Sequence, residues 1–408
     1  MATPLLSIAD ALARVLADAA PLPAVEVPLV EAHGRVLASD LAARRTQPPD
    51  AVSAMDGYAV LASDLAKAPA TLKVIGEVAA GKPFDRAIKT GESARIFTGG
   101  VVPQGADAVA IQEHATRDGD NVTLRNTIAT GKNIRPKGLD FKEGDVLFTK
   151  GHRLTSRDLA LVAAMNHPAA PVHRRPKVAI FATGDELVPP GSTPGPGQIV
   201  YSNGFALMAM LRAEGADVVD LGIVADRLED TVAAVRRARE IDADVLVTTG
   251  GASVGDYDLV QSAFSSEGMT LAFWKIAMRP GRPLMNGRLG PMHVLGLPGN
   301  PVSSYVCALL FAVPLLRALA GRTDTAVDSA KALLGTDMAA NDERADYVRA
   351  TLTPSESGPH GLPVATPFQI QDSSTMGRLS RSDCLIVRPA NEPAVSKGST
   401  VSIVKLPL

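Results

Sequence analysis

The chain has 408 residues, 46% of them hydrophobic, with 41 lysines and arginines against 43 aspartates and glutamates for a formal net charge of -2. That length exceeds one ordinary core and predicts two to four domains. The balanced charge leaves no global field favouring nucleic acid or a membrane surface, so any anion site has to be local. The two cysteines, Cys307 and Cys384, stand far apart in apolar surroundings and read as reduced core residues, as expected of a cytoplasmic chain.

The opening MATPLLSIADALARVLADAA lacks a basic start and carries Asp10, Arg14 and Asp18 inside its apolar stretch. An amphipathic helix is predicted there rather than an export signal, with Leu5, Ile8, Leu12, Val15 and Leu16 at helical spacing. Residues 46–139 hold short β-type runs (LKVIGEV, SARIFTGG, DAVAIQE, NVTLRN) punctuated by glycine, proline and asparagine, which predict an inserted β domain. SRDLALVAAMNHP from Ser156 predicts a helix that stops before Pro168. Residues 1–45 and 140–174 are assigned together as a helical, elongated N-terminal domain that links the rest, with HPAAPVHRRPK as the linker.

From Lys177 strands alternate with helices: VAIFAT, YSNGFALMAMLRAEG, ADVVDLGIV, LEDTVAAVRRARE, ADVLVTT and MHVLGL. Such alternation predicts a central, doubly wound α/β domain over residues 175–325, mainly parallel and with helices on both faces. YVCALLFAVPLLRALAG from Tyr305 is interrupted by Pro314 and Arg317 and is predicted as a buried helix, not a membrane span. DYVRATLTP, LPVATPF, DCLIVRPA and TVSIVKL predict a small C-terminal β-barrel over 326–408. The fold class is therefore α/β, multidomain.

In an open α/β sheet, ligands bind beyond the carboxyl ends of the strands, where the winding reverses. Three such ends carry unusual loops: ATGDELVPPG with Asp185 and Glu186; TTGGASVGDYD with Gly250, Gly251, Ser253, Asp256 and Asp258; and GLPGNPVSS with Gly299, Asn300, Ser303 and Ser304. Each alone is also ordinary turn chemistry. Together on one sheet edge they predict a site. Asn300 as N-cap with Pro301 as first helical residue would leave free N-H groups facing a glycine-bared strand end, a place for phosphate or another oxyanion. Neither GxxxxGK[ST] nor a GxGxxG after a strand occurs, so ordinary nucleotide fingerprints are absent. Lys275, Arg279 and Arg282 in FWKIAMRPGRPLMNG are read either as a solvated loop or as packed cations, the neighbouring Trp274 favouring packing.

If Glu186, Asp256 and Asp258 converge, two unit charges about 5 Å apart at an effective dielectric of ~20 repel by roughly 3 kcal/mol. A divalent cation would remove that cost, and oxygen ligands without histidine suit magnesium. Asp226 can join them or serve as a helix N-cap, with Glu229 at the capping-box position. In the β domain, PPDAVSAMDGYAV sets Asp56 in a run of small residues. RIFTGG offers Thr98, and NIRPKGLDF offers Arg135, Lys137 and Asp140, on loops where a ligand can approach the backbone.

SAMDGYAV, ARIFTGGVVPQGADAVAIQE, NIRPKG, ATGDELVPPG, YSN, TTGGASVGDYD, FWKIAMRPGRP and GLPGNPVSS, in this order and over nearly the whole chain, resemble the molybdopterin molybdenumtransferases, the MoeA and gephyrin E-domain family. The resemblance implies an enzyme that inserts molybdate into the dithiolene of adenylylated molybdopterin, with release of AMP. It places Asp56, Glu186, Asp226, Asp258, Lys275 and Arg279 at the reacting centre. Thr98, Arg135, Asp140, Thr183, Gly184, Asp185, Gly250, Gly251, Ser253, Arg282, Pro298, Gly299, Asn300, Pro301 and Ser303 would bind substrate. Magnesium would be held by Glu186, Asp256 and Asp258. It further implies a homodimer whose inserted β domain faces the α/β domain of the partner, and transient contact with the molybdopterin adenylyltransferase and with apo-molybdoenzymes; neither nucleic acid nor membrane is expected as a partner. Arg279 stands where lysine is common in the family, which favours anion binding over proton donation; Pro136 and Leu139 thin the cationic edge of the inserted domain. An adenylyltransferase, a scaffold and a nucleotide hydrolase are the competing readings; the long N-terminal region speaks against the first.

Overall fold

The computed structural model describes residues 5–250, 259–354 and 361–407. Of the residues singled out above, Gly251, Ser253, Asp256 and Asp258 lie outside the described residues.

Buried aliphatic runs build a six-stranded sheet in the order Asp217–Val224, Lys177–Thr183, Val245–Thr249, Met292–Leu297, Met285–Leu289, Thr270–Trp274. The first four strands are parallel and Met285–Leu289 runs antiparallel to both its neighbours. Strands of a parallel sheet covered on both sides read as continuous apolar runs, and the period of two then sorts the side chains. Val178, Ile180, Val245 and Val247 pack against Leu207 and Leu211 of helix Asn203–Ala213 and against the apolar helix after Pro301. Ala179, Phe181 and Leu246 face Val235 and Ala238 of helix Leu228–Glu240 and Phe264 of helix Leu259–Ser266.

Two placements differ from expectation. The first helix, Ile8–Leu16, was assigned to the N-terminal domain, yet its Ala11 and Val15 enter the core of the α/β layer beside Leu315 and Leu319. Its preceding residue Leu6 accepts a hydrogen bond from the Ala277 amide (2.8 Å), and Arg14 donates to the Ala272 carbonyl (3.2 Å). Apolar surface on that side of the sheet would otherwise face water, and the helix covers it. The second concerns the cation-bearing segment, read either as a solvated loop or as packed: its two ends lie in further strands of the sheet, Thr270–Trp274 and Met285–Leu289.

The apolar helix runs Pro301–Cys307, a π-turn Ala308–Ala312, then Val313–Leu319. The wide turn accommodates Pro314, which lacks the N-H an α-helix interior requires. Among the described residues this is the one helix long and apolar enough to cross a membrane, and 89% of its most apolar window is buried within the protein.

In the inserted segment the order is Ala108–Ile111, Gly57–Val60, Glu92–Ile96, Ala70–Val78, Asn121–Leu124, Ala115–Asp118. Its two faces bury Tyr58, Val60 and Leu72 on one side and Ala59, Ala94 and Ile96 on the other. Chain on either side of it, from Val27 to Ala43 and from Phe141 to Val172, shares one core. Near the C-terminus, Ala345–Thr353 pairs with both Val364–Pro367 and Cys384–Arg388, which closes a five-stranded barrel with Ser329–Leu334 and Thr400–Lys405. Met278–Arg279, from the α/β region, adds in parallel to Ala345–Asp346 of that barrel.

Candidate active site

All four parallel strands end at one edge, where Gly184, Ala225, Gly250 and Pro298 begin the loops. The winding reverses between Lys177–Thr183 and Val245–Thr249, so the loops of Thr183 and Gly250 flank the expected binding crevice. Gly250 sits at φ +89, and a Cβ there would lie 2.3 Å from the Thr183 carbonyl oxygen. Only glycine allows that backbone contact. Gly299 approaches from the next strand, its own Cβ position 3.6 Å from the Gly250 Cα. The Thr183 hydroxyl is buried there without a hydrogen-bond partner among the described residues.

Glu186 and Asp226 join the crevice at one end. The Asp185 and Asp226 loops clasp each other, Asp185 N-H donating to the Asp226 carboxylate (3.3 Å) and Asp226 N-H to that of Asp185 (3.1 Å). Helix Leu228–Glu240 starts after Arg227, with no side-chain cap, so Asp226 is not its N-cap. Burial raises the Asp226 pKa above the ordinary carboxylate value, and the charges of Asp185 and Glu186 raise it further, against the lowering effect of the Asp185 amide. Glu186 folds over Gly184, where a Cβ would come within 2.5 Å of its carboxylate oxygen.

Lys275 emerges at the same edge, because Thr270–Trp274 is parallel to Met292–Leu297 through the intervening antiparallel strand. Its backbone has φ +94, and its ammonium lies 5.2 Å from the centre of the Trp274 ring. The strands that lead to Glu186 and Lys275 lie four spacings apart in the sheet, roughly 19 Å from strand to strand. The acidic residues and Lys275 thus follow different strands along the same sheet edge. Arg282 is exposed beside Lys275, its carbonyl accepting from the Ile276 amide (3.0 Å). Arg279 is turned elsewhere. It donates to Asp346 (2.8 Å), Asp342 (3.1 Å) and Asn341 (3.2 Å) of the barrel segment, so its charge is committed to a domain contact instead of an open anion site. Those barrel residues carried no signal that sequence reasoning used.

Asn300 precedes helix Pro301–Cys307 as expected, but its side chain makes no cap. The amide reaches Ser373 Oγ (2.9 Å), while Val302 N-H donates to the Ser373 carbonyl (3.0 Å) and Asn203 holds the Gly299 carbonyl (2.7 Å). The barrel thus uses one of the N-H groups that sequence reasoning left free for an anion. Pro298, Gly299 and Ser303 remain at the strand end, with Ser303 and Ser304 buried and the Ser304 hydroxyl unpartnered.

In the inserted sheet the three quoted loops are knit together. Asp56 accepts from the Thr98 amide and hydroxyl, both at 2.7 Å, and these bonds hold its carboxyl below the usual range, with Arg95 adding to the effect. Ser53 exchanges main-chain bonds with Gly99 and Gly100, and Ala54 N-H donates to the Asn133 carbonyl (2.9 Å). Arg135 pairs with Val52 through the main chain and exposes its side chain; Asp140 is fixed through its amide to Gln47 (3.0 Å) without bonding Asp56 or Thr98. Arg95, overlooked in the sequence, lies over Tyr58 and Phe97 at 5.3 and 4.8 Å and donates to the Gly57 carbonyl, which firmly seats the Asp56 loop. Among the described residues no hydrogen bond or ion pair links residues 52–135 with 177–325.

Asp185, Glu186 and Asp226 present oxygen donors only, in a place where burial, and to a lesser degree the neighbouring carboxylates, raises the Asp226 pKa, which fits a hard divalent cation in kind. The described residues bring no three histidine, cysteine or acidic side chains into a metal-holding group, and Asp256 and Asp258 lie outside the described residues.

Family models match three successive stretches: the MoeA N-terminal region (domain I and II) over residues 6–166, a probable molybdopterin binding domain over 179–318, and the MoeA C-terminal region (domain IV) over 331–406. Molybdopterin molybdenumtransferase from Haemophilus influenzae is 35% identical, covering 92% of this chain and 92% of the relative. That from a Nostoc species is 33% identical, covering 94% and 88%. The crystal structure of the molybdopterin biosynthesis moeA protein from Pyrococcus horikoshii superposes with a TM-score of 0.84 at 30% identity, over 98% of this chain and 99% of that one. With three family regions in register and a shared architecture from end to end, the chain belongs to the MoeA family of molybdopterin molybdenumtransferases.

Proposed function

We propose that this protein inserts molybdate into the dithiolene of adenylylated molybdopterin and releases AMP, forming molybdenum cofactor. The observation that carries the proposal is the α/β edge: glycine-bared strand ends, with carboxylates after one strand and Lys275 after another four strand spacings (roughly 19 Å) along the sheet. That length suits an elongated ligand with a pterin at one end and a nucleotide at the other. Gly250, Gly299 and Pro298 let the ligand reach the backbone, and Thr183 Oγ1 and Ser304 Oγ supply polar atoms without partners. Magnesium held by Glu186, Asp256 and Asp258 would supply charge neutralisation at the phosphoanhydride. Lys275, with Arg282 beside it, binds and orients molybdate and provides a positive field that favours thiolate over thiol. Arg279 leaves this group and serves as a barrel anchor.

The Asp56 and Thr98 loops complete the site from a second copy of the chain, since among the described residues of one copy they make no polar contact with the α/β edge. Buried free cysteines, Cys307 and Cys384, suit a cytoplasmic enzyme that takes substrate from the adenylyltransferase and hands product to apo-molybdoenzymes. Purified protein mixed with AMP-charged molybdopterin, magnesium and molybdate should release AMP and activate an apo-molybdoenzyme. Asp56→Ala and Glu186→Ala should each lose both readouts while staying folded. ATP consumption with metal-free molybdopterin in place of AMP release would refute the assignment.

A further inference from the structure

An arginine-lined cavity of about 160 Å³ lies at the other edge of the α/β sheet, where its strands begin. His33, Arg35, Arg153 and Arg174 approach it from the N-terminal side of the chain; Arg212, Glu214 and Arg322 approach from the α/β layer. Six arginines line it, with Glu214 as the one acidic lining residue. The Glu214 carboxylate is already shared by Arg317 (2.8 Å) and Arg322 (2.9 Å), and Arg322 also pairs with Asp324. Arg174 is matched by Asp244 (2.6 Å), and Arg175 reaches Asp217 only at 4.0 Å.

Among the described residues the other three guanidiniums rest on carbonyls alone: Arg35 on His173 (2.9 Å), Arg153 on Gly34 and Ala213 (3.3 and 3.4 Å), and Arg212 on Val218 (3.3 Å). Carbonyl dipoles satisfy N-H groups without neutralising the charge. Burial, and then the charge of Arg175, lowers the Arg35 pKa, opposed by Asp217 and Glu31. His173 is only 7% exposed, and its Nε2 is buried with no partner while Nδ1 meets the Leu22 carbonyl (2.5 Å).

We propose that this cavity binds a multivalent oxyanion of the phosphate class, separately from the active edge. Planar guanidinium forks match tetrahedral oxyanions bidentately. A cavity of ~150 Å³ can hold a molecule the size of benzene, so phosphate or diphosphate fits, whereas a pterin or nucleoside does not fit whole. No phenylalanine, tyrosine or tryptophan lines it to stack a base. Because its arginines come from two parts of the chain, the bound anion ties the N-terminal segments to the α/β layer.

Thermal unfolding of the full chain tests this, in phosphate, pyrophosphate or AMP at ionic strength matched with chloride. Phosphate or pyrophosphate is expected to raise the midpoint by roughly 2 to 5 °C at saturation. Arg153→Gln/Arg212→Gln should lose that rise while its midpoint in chloride stays within about 1 °C of the parent; if the pair fails to fold, Arg212→Gln alone carries the test. Lys275→Ala should keep the rise. A rise with AMP that Arg153→Gln/Arg212→Gln loses would identify a phosphate monoester as a ligand of the same cavity, whereas a rise with AMP that the variant keeps belongs to the active edge and leaves the free anions as the cavity's ligands. Absence of any rise in the parent, its persistence in the arginine variant, or its loss in Lys275→Ala would overturn the proposal.

Discussion

Asp56 on the inserted sheet accepts two hydrogen bonds from Thr98 and sits beside Arg95, so its charge is stabilised by its own domain. Asp226 at the α/β edge is in the opposite position: burial and two neighbouring carboxylates disfavour its ionised form. One loop cluster is complete before any ligand arrives, while the other carries repulsion and unpartnered hydroxyls that a ligand or cation would relieve. Both contribute to preorganisation, the first by rigidity and the second by a field that rewards the right guest.

The largest effect should come from separating the two clusters. Asp56→Ala and Glu186→Ala should each lower AMP release by about 100-fold or more. If the clusters act across a dimer, mixing equal amounts of the two inactive variants after subunit exchange restores about a quarter of parental activity, because half the dimers then hold one intact site. No recovery, with exchange verified, would place both clusters in the same copy's site. Next in size is Gly250→Ala, which forces a side chain at φ +89 into the Thr183 carbonyl; a loss of roughly 1–3 kcal/mol in denaturant unfolding is expected, with activity lost as well.

Thr98→Val keeps the amide bond to Asp56 and removes the hydroxyl bond. The Asp56 carboxyl should then titrate closer to 3.8, its ordinary value, by NMR. An unchanged titration would mean that the inserted cluster does not depend on its own bonds. The smallest change is Asp226→Asn. A raised carboxyl pKa favours the folded state at low pH and loses that advantage as pH rises through the folded value, so ionised Asp226 is unfavourable at neutrality. The variant should unfold at a slightly higher temperature at pH 7 and match the parent below pH 3.8, while losing activity.

The alternating apolar runs made the layers legible, because a strand buried on both faces and a helix with one apolar stripe differ in period. Glycines marked the crevice for a related reason: Gly250 is required by a close backbone contact that a sequence shows only as a turn. The first helix kept its length and stripe but not its partner, since periodicity says which face is apolar and nothing of what covers it. Arg279 shows the same limit in a charged residue. FWKIAMRPGRP displays three cations four and three residues apart, but the direction of Arg279 depends on Asp342 and Asp346, over sixty residues further on. Asn300 could be recognised as preceding a helix; that Ser373 would engage its side chain could not.

The barrel touches the crevice at two places, through Arg279 just beyond Lys275 and through Ser373 at the Asn300 turn. Its strand Ala345–Thr353 also carries the short segment Met278–Arg279 as an added edge. The lysine end and the helix end of the catalytic cleft are therefore both moored to one remote body. A tilt of that body would therefore displace the Lys275 segment and the Asn300 turn together, so the geometry of the two ends is coupled through a module that holds none of the proposed reacting groups.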